Sequence, residues 1–222
     1  MSEYLVGIDI SHHNKNMKDP EQILNFDFVI MKASEGISFK DSMFRQYNKI
    51  IDNSGRMTGP VKGAYHYARP ECGNMPEMEA AAFLYQASNY LNGNMFVALD
   101  VEGAALRVPD LDDWCLRWCK YIHEKTGLHP LIYTSSAYTE LFPKCAKWGA
   151  GLWVAKWGNK PKKSDIKPWT FWALWQYTSR GVVSAVQTDF NYFNGTFEQL
   201  YKYCEVTNEK SADDSTTYTA RD

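Results

Sequence analysis

The sequence predicts an α/β protein, an irregular TIM-like (β/α) barrel with eight strands and fewer than eight helices. Three observations carry this. Strand-like runs rich in β-branched or aromatic residues recur eight times along the 222 residues. Helical periods separate several of them, and strand–helix–strand alternation implies parallel strands joined by crossovers. The gaps at 137–150 and 158–170 are too rich in Gly, Pro and Lys for long helices, so the second half should be irregular.

In chain order, the strand candidates are LVGIDIS (5–11), DFVIMKAS (27–34), VKGAYHYA (61–68) and MFVALDVE (95–102). PLIYTSS (130–136), GLWVAKW (151–157), FWALWQYTS (171–179) and VQTDFNYF (186–193) follow. Helical periods lie around 42–53, at 76–91 and at 110–127. The second opens with Pro76 and acids in its first turn, as a helix entry favours. The third stops at Gly127. After Cys204 apolar periodicity vanishes, so residues 1–204 are expected to form the barrel and 205–222 a disordered polar tail or linker stub.

Composition excludes several classes. A net charge of -2 with no long basic stripe argues against nucleic acid as partner. No apolar run approaches the ~18 residues of a membrane span. MSEYLVGID has neither a basic n-region nor an apolar h-region, so no signal peptide and cytoplasmic synthesis are expected. Five cysteines, an odd number without a CxxC pair, point to a reducing compartment at synthesis. Cys115 and Cys119, one helical turn apart between Trp114 and Trp118, read as core. No metal-ligand spacing links the five histidines, and no cofactor is implied. GxSxG, HExxH, P-loop and GxGxxG motifs are absent.

Acids mark the strand ends: Asp9 in GIDIS, Asp100 and Glu102 in ALDVE, and Asp189 in QTDFN. In a parallel barrel these ends converge on the mouth where chemistry takes place. Residues two apart share a strand face, so Asp100 and Glu102 should enter the mouth together while Val101 packs on the helices. Clustered carboxylates serve glycoside hydrolysis or hold a hard cation. Without either role, they would cap helices or pair with Lys32 and Arg69.

Together GIDISHHN (7–14), FVIMKASEG (28–36), KGAYHYARP (62–70) and FVALDVEG (96–103) resemble glycoside hydrolase family 25, the phage-endolysin and bacterial-autolysin lysozymes. LIYTSS, LWVAKWG, WALWQYTS and TDFNYF extend the resemblance over residues 4–200. It implies a muramidase cleaving the β-1,4 bond between N-acetylmuramic acid and N-acetylglucosamine in peptidoglycan. By motif, Glu102 would be the general acid, and Asp100 would orient the N-acetyl group or stabilise developing positive charge. Asp9 and Asp189 would complete an acidic floor. Lys32, Tyr65, Tyr133, Trp175, Gln176 and Tyr177 match substrate-lining positions. The nucleophile is either a carboxylate or the substrate's own acetamido oxygen. A monomer made in a host cytoplasm and acting on the cell wall after release fits the pattern. The lysine-rich NKPKKSDIK reads as a solvated loop, or else as attracted to an anionic wall polymer. The rival function is a non-catalytic wall-glycan-binding barrel, disfavoured because all four acids are present.

Overall fold

The computed structural model describes residues 4–54, 59–91 and 93–206. Its strands are β1 (Leu5–Ile10), β2 (Phe28–Glu35), β3 (Phe39–Lys40), β4 (Val61–Tyr67), β5 (Met95–Asp100), β6 (Leu131–Ser135), β7 (Gly151–Ala155), β8 (Leu174–Val183) and β9 (Val186–Phe193). β3 is a two-residue flap on the edge of β2. The other eight close a barrel, sealed by the parallel β1–β2 pair, and each overlaps one of the eight predicted runs.

The last strand departs from the all-parallel expectation. β9 runs antiparallel to both β8 and β1. Val183 pairs with Val186, leaving only Ser184 and Ala185 to turn, both at positive φ (50° and 66°). Two residues make a hairpin but cannot make a crossover, so the strand must reverse.

Two apolar layers hold the barrel. Inside, Phe28, Ile30, Phe96, Ala98, Leu131, Trp153, Leu174 and Phe193 fill its lower half. The rings of Phe28 and Phe96 lie where Cβ atoms on Gly7 and Gly63 would stand, 2.3 and 2.5 Å away, so only glycine fits opposite them. Outside, Val29, Met31, Val97, Leu99, Ile132 and Val154 meet Phe83, Trp118 and Ile122 of the helices. Each fully buried Val, Leu, Ile, Met or Phe among them contributes about 1.5–3 kcal/mol.

Five α-helices occur among the described residues: α1 (Phe44–Asp52), α2 (Pro76–Ala87), α3 (Leu111–Thr126), α4 (Pro143–Trp148) and α5 (Phe197–Lys202). Pro76 stands in the first turn of α2, and Gly127 ends α3 at φ 72°. After residue 137 the helices shorten to six residues each. All five cysteines are free, with Cys115 and Cys119 fully buried. No described helix is long and apolar enough to cross a membrane. Most of the predicted polar tail, 207–222, lies outside the described residues.

Candidate active site

The C-terminal ends of the parallel strands and the first half of β9 meet at one mouth. Asp9 is the penultimate residue of β1 and Asp100 the last of β5. Asp189 is the direct cross-strand partner of Asp9. It reaches the mouth from early in its strand only because β9 is reversed. Beyond Asp100, the Val101 N–H donates to Tyr133 O at 2.9 Å, and the Val101 side chain is fully buried in the outer layer. Alternation therefore turns Asp100 and Glu102 to the same, inner side. Gly103 then bends the chain at φ +62°, and a Cβ there would lie 3.2 Å from the Tyr67 hydroxyl.

A belt of donors converges on Asp9. Gln176 Nε2 and Asn191 Nδ2 both donate to Asp9 Oδ2, at 3.0 and 2.7 Å. Tyr133 OH donates to Gln176 Oε1 at 3.1 Å, and Trp153 Nε1 donates to Asn191 Oδ1 at 2.8 Å. Tyr65 and Tyr133 set their rings edge-on to Trp153, with centroids 6.1 and 4.5 Å away.

Asp100 is held differently. It is buried, and its Oδ1 has no hydrogen-bond partner among the described residues. Burial, then the charge of Glu102, pushes its carboxyl well above the usual range, against the pull of Lys32. Burial and Asp9 raise Glu102, again opposed by Lys32. Burial, Asp9 and Glu102 lift Asp189 to about 7. Asp9 is raised by burial, with its Asn191 and Gln176 bonds acting the other way. Each of the four carboxyls is thus held above its ordinary range, and because the charge of one raises its neighbours, the cluster loses its protons in steps rather than together.

Lys32 enters the same mouth. Its Nζ donates to Glu35 at 2.7 Å and sits 4.7 Å from the centre of the Tyr67 ring. Arg69 Nη1 donates to the other oxygen of Glu35 at 3.0 Å. Among the described residues no group of three or more His, Cys, Asp or Glu is placed to hold a metal ion.

Of the residues singled out in the sequence, Asp9, Asp100, Glu102, Asp189, Lys32, Tyr65, Tyr133 and Gln176 come together here. Trp175 and Tyr177 do not. They flank inward-facing Gln176 and so stand on the outer face, where Trp175 Nε1 donates to Lys156 O and Tyr177 stacks on Tyr192 at 4.1 Å. His12 and His13 lie past the end of β1 in a 3-10 turn, with their rings 4.0 Å apart. Sequence reasoning missed Glu35, Tyr67, Trp153, Trp157 and Asn191. Tyr67 and Asn191 stand two residues beyond Tyr65 and Asp189, a spacing that already puts them on the inner face.

The model of glycosyl hydrolases family 25 matches residues 8–186. The chain belongs to glycosyl hydrolases family 25. It is a glycoside hydrolase. Among similar proteins, Lysozyme M1 of Streptomyces globisporus is 28% identical, the match covering 87% of this chain and 69% of that one. A family GH25 lysozyme structure from Aspergillus fumigatus superposes with a TM-score of 0.74 at 25% identity, covering 90% and 98% of the two chains. The CTP1L endolysin structure gives 0.73 at 28% identity, covering 89% of this chain and 69% of that one.

Proposed function

We propose that Glu102 is the proton donor with which this glycoside hydrolase, a peptidoglycan muramidase, cleaves the β-1,4 bond between N-acetylmuramic acid and N-acetylglucosamine. One observation carries the assignment. Glu102 is half-buried at the barrel mouth beside Asp9, and burial and that neighbour hold its carboxyl above the ordinary range. A carboxyl raised in this way keeps its proton to higher pH than an isolated one, and can give it to the leaving oxygen.

Asp100 supports the other side of the reaction. Its unpartnered oxygen accepts the substrate's acetamide N–H or faces the positive charge growing at the sugar ring. Asp9, gripped by Gln176 and Asn191, is a fixed acid that keeps Glu102 protonated. Asp189 closes the floor. Tyr65, Tyr133, Lys32 and Gln176 line the sugar's path. Trp157, 66% exposed, with Nε1 3.5 Å from Gln176 Oε1, offers an indole face to a sugar ring.

The enzyme acts on the cell wall. We read it as a monomer that does not engage nucleic acid, a reading supported by its near-neutral net charge of -2. Buried free thiols such as Cys115 and Cys145 fit synthesis in a reducing cytoplasm before release to the wall.

The test is loss of turbidity of purified peptidoglycan, wild type beside Glu102→Gln. The variant is expected to be slower by ~10²–10⁴, the worth of a general acid. A variant nearly as fast as wild type removes Glu102 from this role. A wild type inactive on walls of several bacterial classes favours the non-catalytic barrel.

A further inference from the structure

A buried string of polar groups lies behind the mouth, on the outer side of the barrel. Ser34 Oγ meets His66 Nδ1 at 2.9 Å, and His66 Nε2 meets Glu79 Oε2 at 2.9 Å. All three residues are at most 1% exposed. Glu79, on α2, also accepts from the Arg69 N–H at 3.0 Å and from Asn74 Nδ2 at 2.7 Å. The His66 ring stacks on Trp118 at 5.7 Å and is held below its usual pKa by burial. A neutral imidazole satisfies every partner in one way: Nε2–H donates to the Glu79 carboxylate, and Nδ1 accepts the Ser34 hydroxyl. Burying a carboxylate and an imidazole together is costly, so a function beyond packing is expected.

The string ends at an irregularity. Along β2 the pairing with β4 slips between Lys32 and Ser34, so Lys32 pairs with Tyr65 but Ser34 with His66. On a regular strand Lys32 and Glu35, an odd number apart, would face opposite sides. The slip brings both into the mouth, where they form their 2.7 Å ion pair, and turns Ser34 outward to His66. At the same time Glu79 anchors the Arg69 main chain, one residue past Ala68, whose N–H donates to the carbonyl of Asp100 itself at 2.9 Å.

We propose that Ser34, His66 and Glu79 are positioning residues of the hydrolase. They pin the β2 irregularity and the end of β4, and so aim Lys32, Glu35 and Arg69 at the acid pair. None of the three touches substrate; they act through Lys32. This rests on the assignment of the mouth as the muramidase site.

A double-mutant cycle tests it, with kcat/KM followed by dye release from labelled peptidoglycan. Glu79→Gln is expected to lower kcat/KM roughly tenfold in the wild-type background, within the coupling range for residues of one network. In a Lys32→Met background the same change should cost less than twofold. Equal factors in both backgrounds overturn the proposal. Phe83→Leu, a packing change on the same helix against the same His66 ring, controls for stability. At a matched drop in Tm it should leave kcat/KM within twofold, and an equal loss there overturns the proposal. If Glu79→Gln does not fold, Ser34→Ala, which removes a single hydroxyl, carries the same cycle with the same criteria. Full activity of Glu102→Gln would sink the donor assignment alone, since the cycle reads the coupling to Lys32 independently.

Discussion

Asp9 and Asp189 stand directly opposite each other on the antiparallel β1–β9 pair, at the mouth of the barrel. Like charges directly opposite across a sheet repel, and here both groups are also partly or wholly removed from water. Protonation relieves the repulsion, so the pair ties stability and activity to pH.

The sign follows from the raised carboxyls. Asp9, Asp100, Glu102 and Asp189 all titrate higher in the folded chain than their ordinary values, Asp189 moving from 3.8 to about 7. Between those limits the folded state binds more protons than the unfolded one. The cluster's contribution is therefore fully present below pH ~4 and fades as pH rises through 7. Asp189→Asn should raise Tm at pH 8 by a few degrees, have less effect at pH 5, and reduce turnover. Thermal unfolding at both pH values checks it; a variant less stable than wild type at pH 8 refutes it.

Asn191 serves two groups at once, donating to Asp9 and accepting from the Trp153 indole. Asn191→Ala leaves the buried indole N–H unpaired, at a cost of about 1–3 kcal/mol. Without that donor Asp9 should hold its proton to higher pH, moving the acid limb of the kcat/KM profile upward. Urea unfolding and the pH–rate profile give the two readings. An unmoved limb would remove Asn191 from any part in setting the charge on Asp9.

Gly103 adopts φ +62° immediately after Glu102. Gly103→Ala forces an L-residue into the left-handed region, costing about 1–2 kcal/mol, and crowds the Tyr67 hydroxyl. Activity should fall further than stability, because Glu102 is displaced. Rates measured well below Tm separate the two; unchanged rates would show that Glu102 tolerates the shift.

Trp157 should act on binding. Trp157→Ala is expected to raise KM roughly tenfold, ~1.4 kcal/mol, with kcat within twofold, and Trp157→Phe should recover most of the loss. Steady-state rates on soluble glycan fragments decide, and a pure kcat effect contradicts a stacking role.

The barrel was legible because each of its eight strands carries its own apolar signal, and local patterning is a property of the chain. The acids were legible for a related reason. Asp9 and Asp100 end apolar runs, and Glu102 follows at the two-residue spacing that shares a face. Trp175 and Tyr177 show how the same rule was underused: with Gln176 facing in, its neighbours must face out. Glu35 had no such signal. It reaches the mouth only because β2 slips in register, and a slip depends on what pairs with the strand.

By itself, then, the sequence determined the eight barrel strands and the acids near their ends, since these rest on local spacing, while its ordered motifs carried the resemblance to the family. Tertiary structure alone decided the pairing of β9 with β1 that sets Asp189 against Asp9 and the belt of donors around Asp9. It also decided the bulge that brings Lys32 and Glu35 together. Each of these depends on contacts between residues as far as 182 positions apart, as in the Asp9–Asn191 bond. Register and burial, which fix where a proton resides, exist only once those distant segments have met.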